Sequence, residues 1–157
     1  MTFEKTPRGT RGTSMPSFLT PAMKFMNAQM MRRFRRSAAS GGKIMGMNGL
    51  VLTTVGAKTG QRRQTMLATF PDGDGAWLIV ASAGGQMANP AWYHNLAAHP
   101  DQVQIEVGGK TANVTATQLT GPDRDAAWQR ITAAQPRYAG YEKKTDRLIP
   151  VIRLTAV

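Results

Sequence analysis

The sequence predicts a mainly β protein, an antiparallel barrel with α additions, preceded by a basic N-terminal helix. Three observations carry this. From residue 50 onward, short apolar or alternating segments follow one another across tight, Gly-rich turns. Only two inserted stretches, at residues 89–98 and 120–134, combine a helix-start signal with helical spacing. The regular strand–helix–strand alternation of a parallel nucleotide-binding sheet is missing.

Taken in order, residues 1–14 are rich in Thr, Gly, Arg and Lys and read as a mobile arm. Over residues 15–39, Leu19, Met23, Met26, Met30 and Phe34 recur at three- and four-residue steps, which stacks them on one helix face. Lys24, Asn27, Arg32, Arg35 and Arg36 fall largely off that stripe, and Pro16 and Pro21 sit early, where a helix tolerates them. Residues 37–48, with Gly41, Gly42 and Gly46, read as a linker. The chain thus divides into a basic arm and amphipathic helix at 1–47 and a barrel domain at 48–157.

Within the barrel, Leu50–Thr54 is an apolar, β-branched strand that breaks at Gly56-Ala57-Lys58-Thr59-Gly60 and returns over residues 63–70. Pro71-Asp72-Gly73-Asp74-Gly75 is a turn, and the strand before it is expected to pair with residues 76–82 as a hairpin. Asn89 and Pro90 read as N-cap and N1 of a helix running to Ala98. Residues 103–107 and 110–119 alternate on either side of Gly108-Gly109. Thr120–Asp123 opens a helix to Ala134, with Ala127, Trp128 and Ile131 on one face, and residues 149–154 form the closing strand.

Composition narrows the function. The 157 residues contain no cysteine and two histidines, His94 and His99, which argues against thiolate chemistry and a histidine-rich metal site; no metal is expected. No apolar run reaches the roughly 18 residues of a membrane span, and no export signal is read, so a cytoplasmic location is expected. The net charge of +11 is uneven, because residues 1–47 hold nine bases against the single acid Glu4. Such a segment attracts polyanions. A basic helix with a Met/Phe face over residues 15–39 suits peripheral contact with an anionic membrane at its inner face, or it packs its methionines on the barrel; both readings stay open. Nucleic acid is not expected, since Phe18, Phe25 and Phe34 lie within a helical pattern and form no stacking platform.

Two stretches carry chemistry. Thr53–Arg63 places Lys58, Arg62 and Arg63 and two glycines in a turn between strands, which can present cations and backbone N–H groups to an anion. It lacks the order and following helix of a P-loop. Ala81-Ser82-Ala83-Gly84-Gly85 follows a strand, and its glycines permit a flat ligand to approach the backbone. In the helix that follows, Trp92 and Leu96 share one face and Asn89 and Tyr93 another.

Together these segments resemble one family in order and spacing: Val51–Gln61, Ala81–Gly85, Asn89–Leu96, Tyr138-Ala139-Gly140-Tyr141 and Thr145–Val151. It is the deazaflavin-dependent nitroreductase family, reductases that use coenzyme F420 on a split β-barrel related to the FMN-binding, pyridoxamine oxidase-like barrels. The resemblance covers residues 48–155. It implies hydride transfer from reduced deazaflavin to an electron-poor acceptor such as a quinone, enone or nitroaromatic, with F420 preferred to FMN. The alternative is a non-catalytic barrel that binds deazaflavin, flavin, haem or fatty acid.

By position, the resemblance assigns Lys58, Thr59 and Arg63 to the cofactor's phosphate and acidic tail, and Gln64, Thr65, Met66, Leu67 and Ala68 to the strand along it. Ala81, Ser82 and Ala83 lie beside the ring, and Ala91, Trp92, Tyr93, His94 and Asn95 form the covering helix. Tyr138 and Tyr141 wall the substrate side, with Ser82 and Tyr138 as candidate catalytic groups. His94 has no fixed catalytic role in this match. The family's usual prolines are replaced by Arg62 and Met66, its lysine after the serine by Ala83, and two aromatics by Ala68 and Gln135. Arg62 is a candidate to restore the charge missing at Ala83. The resemblance allows a monomer or a homodimer.

Overall fold

The computed structural model describes residues 3–13, 20–37, 43–44 and 47–157. The expected helix ends at 15–19 and 38–39, and the linker glycines Gly41, Gly42 and Gly46, lie outside the described residues. The helix α1 spans Thr20–Ser37. The strands are β1 (Lys43–Ile44), β2 (Met47–Val55), β3 (Arg62–Ala68), β4 (Phe70–Pro71), β5 (Ala76–Val80), β6 (Val103–Val107), β7 (Lys110–Gln118) and β8 (Val151–Ala156). Helix α2 (Ala91–Ala98) lies between β5 and β6, and α3 (Gly121–Ala134) and α4 (Arg137–Lys144) lie between β7 and β8.

All strand pairings are antiparallel, in the order β1-β2-β6-β7-β8-β5-β4, with β3 also paired to β2. Strand β2 is buried on both faces, which explains its unbroken apolar run. Leu50 and Leu52 join Ile79, Ile105, Ile152, Leu154, Tyr93 and Leu96 inside the barrel. Val51 faces the other way and packs with Phe34 of α1. The same alternation along β5 sends Leu78 and Val80 to a second core, where Ala127, Trp128, Ile131 and Tyr138 of α3 and α4 meet Val151.

Three expectations need correction. The hairpin expected between residues 63–70 and 76–82 exists only at its tip. Strand β3 pairs with β2 from Arg62 to Ala68, and only Phe70 and Pro71 pair with β5. Thr69 marks the split: its N–H donates to Asn48 O at 2.9 Å and its hydroxyl to Leu78 O at 3.0 Å. The linker reading fails at Lys43–Ile44 and at Met47–Asn48, which are strand. The arm is strapped to the barrel over residues 3–13. Gly9 and Thr13 donate backbone bonds to Met87 O and Gly85 O, Thr10 and Arg11 donate to Asp146, and Phe3 packs on Tyr93. Gly12 allows this contact, since a Cβ there would lie 2.7 Å from Gly85 O.

Helix α1 resolves the two readings of its stripe unevenly. Phe34 is 5% exposed and packs on the barrel, with Met31 half-buried beside it. Met23, Met26 and Met30 remain exposed, as does Phe25 at 65%. Among the described residues, no helix is long and apolar enough to cross a membrane.

Candidate active site

The β2–β3 turn is built to hold its cations in a fixed place. Gly56 N–H donates to Gln61 O at 2.7 Å and Gly60 N–H to Gly56 O at 2.9 Å. Gly60 has φ +71°, and a Cβ on Gly56 would strike the Thr59 hydroxyl at 2.6 Å, so glycine is required at both positions. From α2, the Asn95 carboxamide accepts from Ala57 N–H at 3.0 Å and donates to the Thr54 hydroxyl at 3.1 Å. Asn95 therefore locks the turn to the helix beneath it.

Between this turn, β3, α2 and α1 lies a cleft of about 610 Å³. Lys24, Lys58 and Arg63 contribute its charge, and Trp92, His94 and Asn95 line its α2 side. Among the described residues, no carboxylate lines it. His94 is held below the ordinary histidine range by burial first, then by the positive charges of Lys5 and Lys58. The pocket is thus electropositive before any ligand enters. This donor set fits a polyanionic tail.

A second cavity of about 240 Å³ lies beyond Trp92, which borders both. Met66, Leu67 and Ala68 continue the β3 wall, Ser82, Ala83 and Gly84 form a second side, and Tyr138 and Tyr141 a third. Tyr138 is buried, edge-on to Phe70 at 5.6 Å and to Tyr141 at 5.5 Å. Burial, and secondarily Tyr141, raises its phenol above the ordinary value, so it stays protonated through neutral pH.

The segment after β5 is backbone-strained and held from behind. Ala83 has φ +47°, a left-handed conformation that costs a non-glycine residue roughly 1 kcal/mol. Gly84 and Gly85 are also left-handed, and a Cβ at Gly85 would meet Lys144 and Tyr141 of α4 at 2.9 and 3.0 Å. The 4% exposed Arg147 fixes the segment. Its guanidinium donates to Ala81 O at 3.0 Å, Ser82 O at 2.8 Å, Gln86 O at 3.0 Å and Asn89 Oδ1 at 2.6 Å. Burial lowers its pKa from the usual arginine value.

The residues expected from sequence are therefore mostly brought together, in two compartments. Lys58, Thr59, Arg63, Gln64, Thr65, Ala91, Trp92, His94 and Asn95 line the cleft. Met66, Leu67, Ala68, Ser82, Ala83, Tyr138 and Tyr141 line the second cavity. Two expected residues line neither. Tyr93 is fully buried, accepting from Thr6 N–H at 2.9 Å and donating to Gln118 at 2.7 Å. Ala81 is also fully buried, and its backbone is taken by Pro150 O and Arg147. Arg62 turns away to Gln104 Oε1 at 2.6 Å, so it does not restore the charge missing at Ala83. Nor does Gln135 line either cavity. Pro90, not Asn89, caps α2, because the Asn89 carboxamide is engaged by Arg147 and Thr6.

Sequence reasoning missed Lys24 as a cleft residue and Arg147 as the organiser of the ring-side segment. A helical wheel puts Lys24 within about 20° of Arg35, eleven residues later, and no pattern in the sequence says that this face docks.

On this antiparallel barrel a basic cleft and an aromatic-walled cavity share Trp92, an arrangement suited to a flat, anionic ligand. A profile of the F420H(2)-dependent quinone reductase family matches residues 25–156. An F420H(2)-dependent quinone reductase of Mycobacterium tuberculosis (strain H37Rv) is 50% identical over 109 residues, covering 68% of this chain and 72% of that one. The solved F420-H2 dependent reductase FDR-A is 39% identical, with TM-score 0.61 over 68% of this chain and 92% of that one. A chain described as a domain-swapped dimer is 34% identical, with TM-score 0.64 over 85% of this chain and 98% of that one. HutZ, the heme storage protein of Vibrio cholerae, shares the fold alone, at 14% identity and TM-score 0.51. The chain belongs to the F420H(2)-dependent quinone reductase family. It is an oxidoreductase with F420H2 as hydride donor, which sets aside the non-catalytic barrel.

Proposed function

We propose that the cleft holds the anionic tail of F420 and that the cavity beyond Trp92 is where the ring and a quinone meet. The meeting of a basic and an aromatic compartment at one tryptophan carries this reading. Lys58, Thr59 and Arg63 grip the tail, and Gln64 to Ala68 of β3 run as a rail from one compartment into the other. When bound, reduced F420 supplies the hydride. The protein aligns the two partners and keeps water from between them. Tyr138 and Tyr141 wall the quinone, and Ser82 and the protonated Tyr138 donate hydrogen bonds to its oxygen as charge develops there, Tyr138 being the group able to deliver the proton. Ala68 and Ala83 leave room and remove a cation on the acceptor side, which suits a bulkier acceptor.

A fluorescence titration with F420 and, in parallel, FMN tests the reading. The expected result is saturable F420 binding that FMN does not match, followed by oxidation of F420H2 on adding a quinone. FMN preference, or binding of neither, overturns it. Undiminished quinone turnover by Tyr138→Phe removes the proton-donor role alone.

Exposed Met23, Phe25 and Met26 beside the helix's arginines favour a second reading, peripheral attachment to an anionic membrane. Sedimentation with anionic vesicles, comparing the wild type with a triple Met23→Gln, Phe25→Ser, Met26→Gln variant, tests it; equal pelleting of both refutes it. Light scattering on the same samples decides between monomer and homodimer.

A further inference from the structure

The cleft is completed by α1, an element outside the barrel. Two anchors fix this helix on the sheet. Phe34 and Met31 pack against Val51 and Met66. Arg35 donates to Glu106 Oε2 at 3.0 Å and to Gln64 Oε1 at 3.2 Å, and Gln64 itself lines the cleft. Lys24 lies eleven residues, or about 16 Å of helix, before Arg35 and on the same face. The anchors therefore aim Lys24 at the β2–β3 turn, where it lines the cleft with Lys58 and Arg63. Among the described residues, none of these three cations forms an ion pair. Like charges converging on one concavity repel one another until an anion enters.

We infer that Lys24 is a tail-recognition residue, the third cation of the anion site, and that α1 acts as a charged strap across the cofactor's phosphate and carboxylate groups. The inference rests on the reading of the cleft given above.

The test compares wild type, Lys24→Ala, Lys24→Glu and Lys24→Arg in equilibrium titrations with two probes. One is F420; the other is the tail-less deazaflavin riboside, which carries no phosphate or carboxylate. Loss of one charge-assisted contact is expected to raise the F420 Kd of Lys24→Ala about fivefold, and that of Lys24→Glu further, with Lys24→Arg close to wild type. The dependence of the F420 Kd on salt becomes shallower in Lys24→Ala, whereas riboside binding stays the same in all four proteins. Lys24 is exposed, so melting temperatures are expected to coincide. If wild type binds F420 and the variants match it, the inference fails and the cleft reading stands. An equal loss for F420 and the riboside also overturns it, since Lys24 then acts on the ring. Failure of wild type to bind F420 removes both.

Discussion

Replacing Arg147 by Met keeps most of the side-chain volume and deletes every hydrogen bond of the guanidinium. Three acceptors lose this donor outright, Ala81 O, Gln86 O and Asn89 Oδ1, while Ser82 O keeps the Gly85 N–H at 2.9 Å. Ala81 and Asn89 are buried, and each orphaned acceptor there costs about 1–3 kcal/mol. Ser82 and Gln86 are half-buried, so water replaces much of their loss. Relief from burying a guanidinium offsets part of the total. The net expectation is a destabilisation of about 2–4 kcal/mol, or roughly 10 °C in melting temperature for a chain of this length. Guanidinium chloride unfolding at unchanged slope measures it. Arg147→Lys keeps the charge but lacks the planar fork and falls between the two. Because the lost bonds lie behind Ser82 and Ala83, the variant also raises the KM for quinone more than the Kd for F420. A stability within about 0.5 kcal/mol of wild type refutes the reasoning, because it means that water satisfies the orphaned acceptors.

Asn95→Ala frees the turn from α2, removing bonds to Ala57 and Thr54; a several-fold weaker F420 Kd with riboside binding unchanged is expected from the same titrations. The His94 imidazole is held low by burial and by cations, so an anion in the cleft lifts it and binding takes up protons. F420 affinity therefore rises as the solution becomes acidic enough to protonate His94, below the ordinary histidine range, and His94→Gln loses that component; parallel pH profiles for the two proteins contradict it. Asp146 is pulled down to about 2 by the Thr10 hydroxyl first, then by backbone N–H bonds from Arg11 and Thr10. A depressed carboxylate stabilises the folded state above its unfolded pKa near 4 and loses that contribution as pH falls toward 2. Asp146→Asn is expected to increase hydrogen exchange in residues 3–13 at neutral pH, and unchanged exchange there counts against the strap.

The strands were readable because their signals are local. Apolar alternation on β6 and β7, the Gly108-Gly109 turn and the α3 face of Ala127, Trp128 and Ile131 each lie within one element, and all three recur in the structure. The failures lie where a distant partner decides. Thr69 looks like one more strand residue, yet bonds to both Asn48 and Leu78 make it the point where the sheet divides. Asn89 before Pro90 has the chemistry of a cap, and the buried Arg147, 58 residues away, takes its carboxamide instead. Tyr93 and Trp92 are neighbours on one helix; the sheet beneath α2 decides which enters the core and which borders the cavities. The resemblance names residues that the fold gathers around two cavities because it carries that long-range information in its spacing.

The two missed residues, Lys24 and Arg147, point to a shared design. Neither belongs to the strands that form the site walls, and each acts on a wall from outside it. Arg147 grips the backbone behind Ser82 and Ala83, while α1 brings Lys24 over the front of β3. The arm braces the Arg147 side, since Thr6 bonds Asn89 and Tyr93, and Arg11 O accepts from the Thr145 hydroxyl two residues before Arg147. The N-terminal segment thus reaches both compartments, through Lys24 at the cleft and through the Thr13 hydroxyl, which donates to Gly84 O at 3.5 Å, at the second cavity. Its basic composition follows from that placement as much as from any external partner. Arg35→Ala separates the two explanations. It breaks the clamp to Glu106 and Gln64 while leaving Lys24 and the exposed Met/Phe face intact. If α1 serves the cleft, F420 affinity falls with it and becomes less salt-dependent, whereas vesicle binding drops only by the loss of one charge. If affinity holds while vesicle binding falls steeply, the helix works for the membrane and its contact with the cleft is incidental.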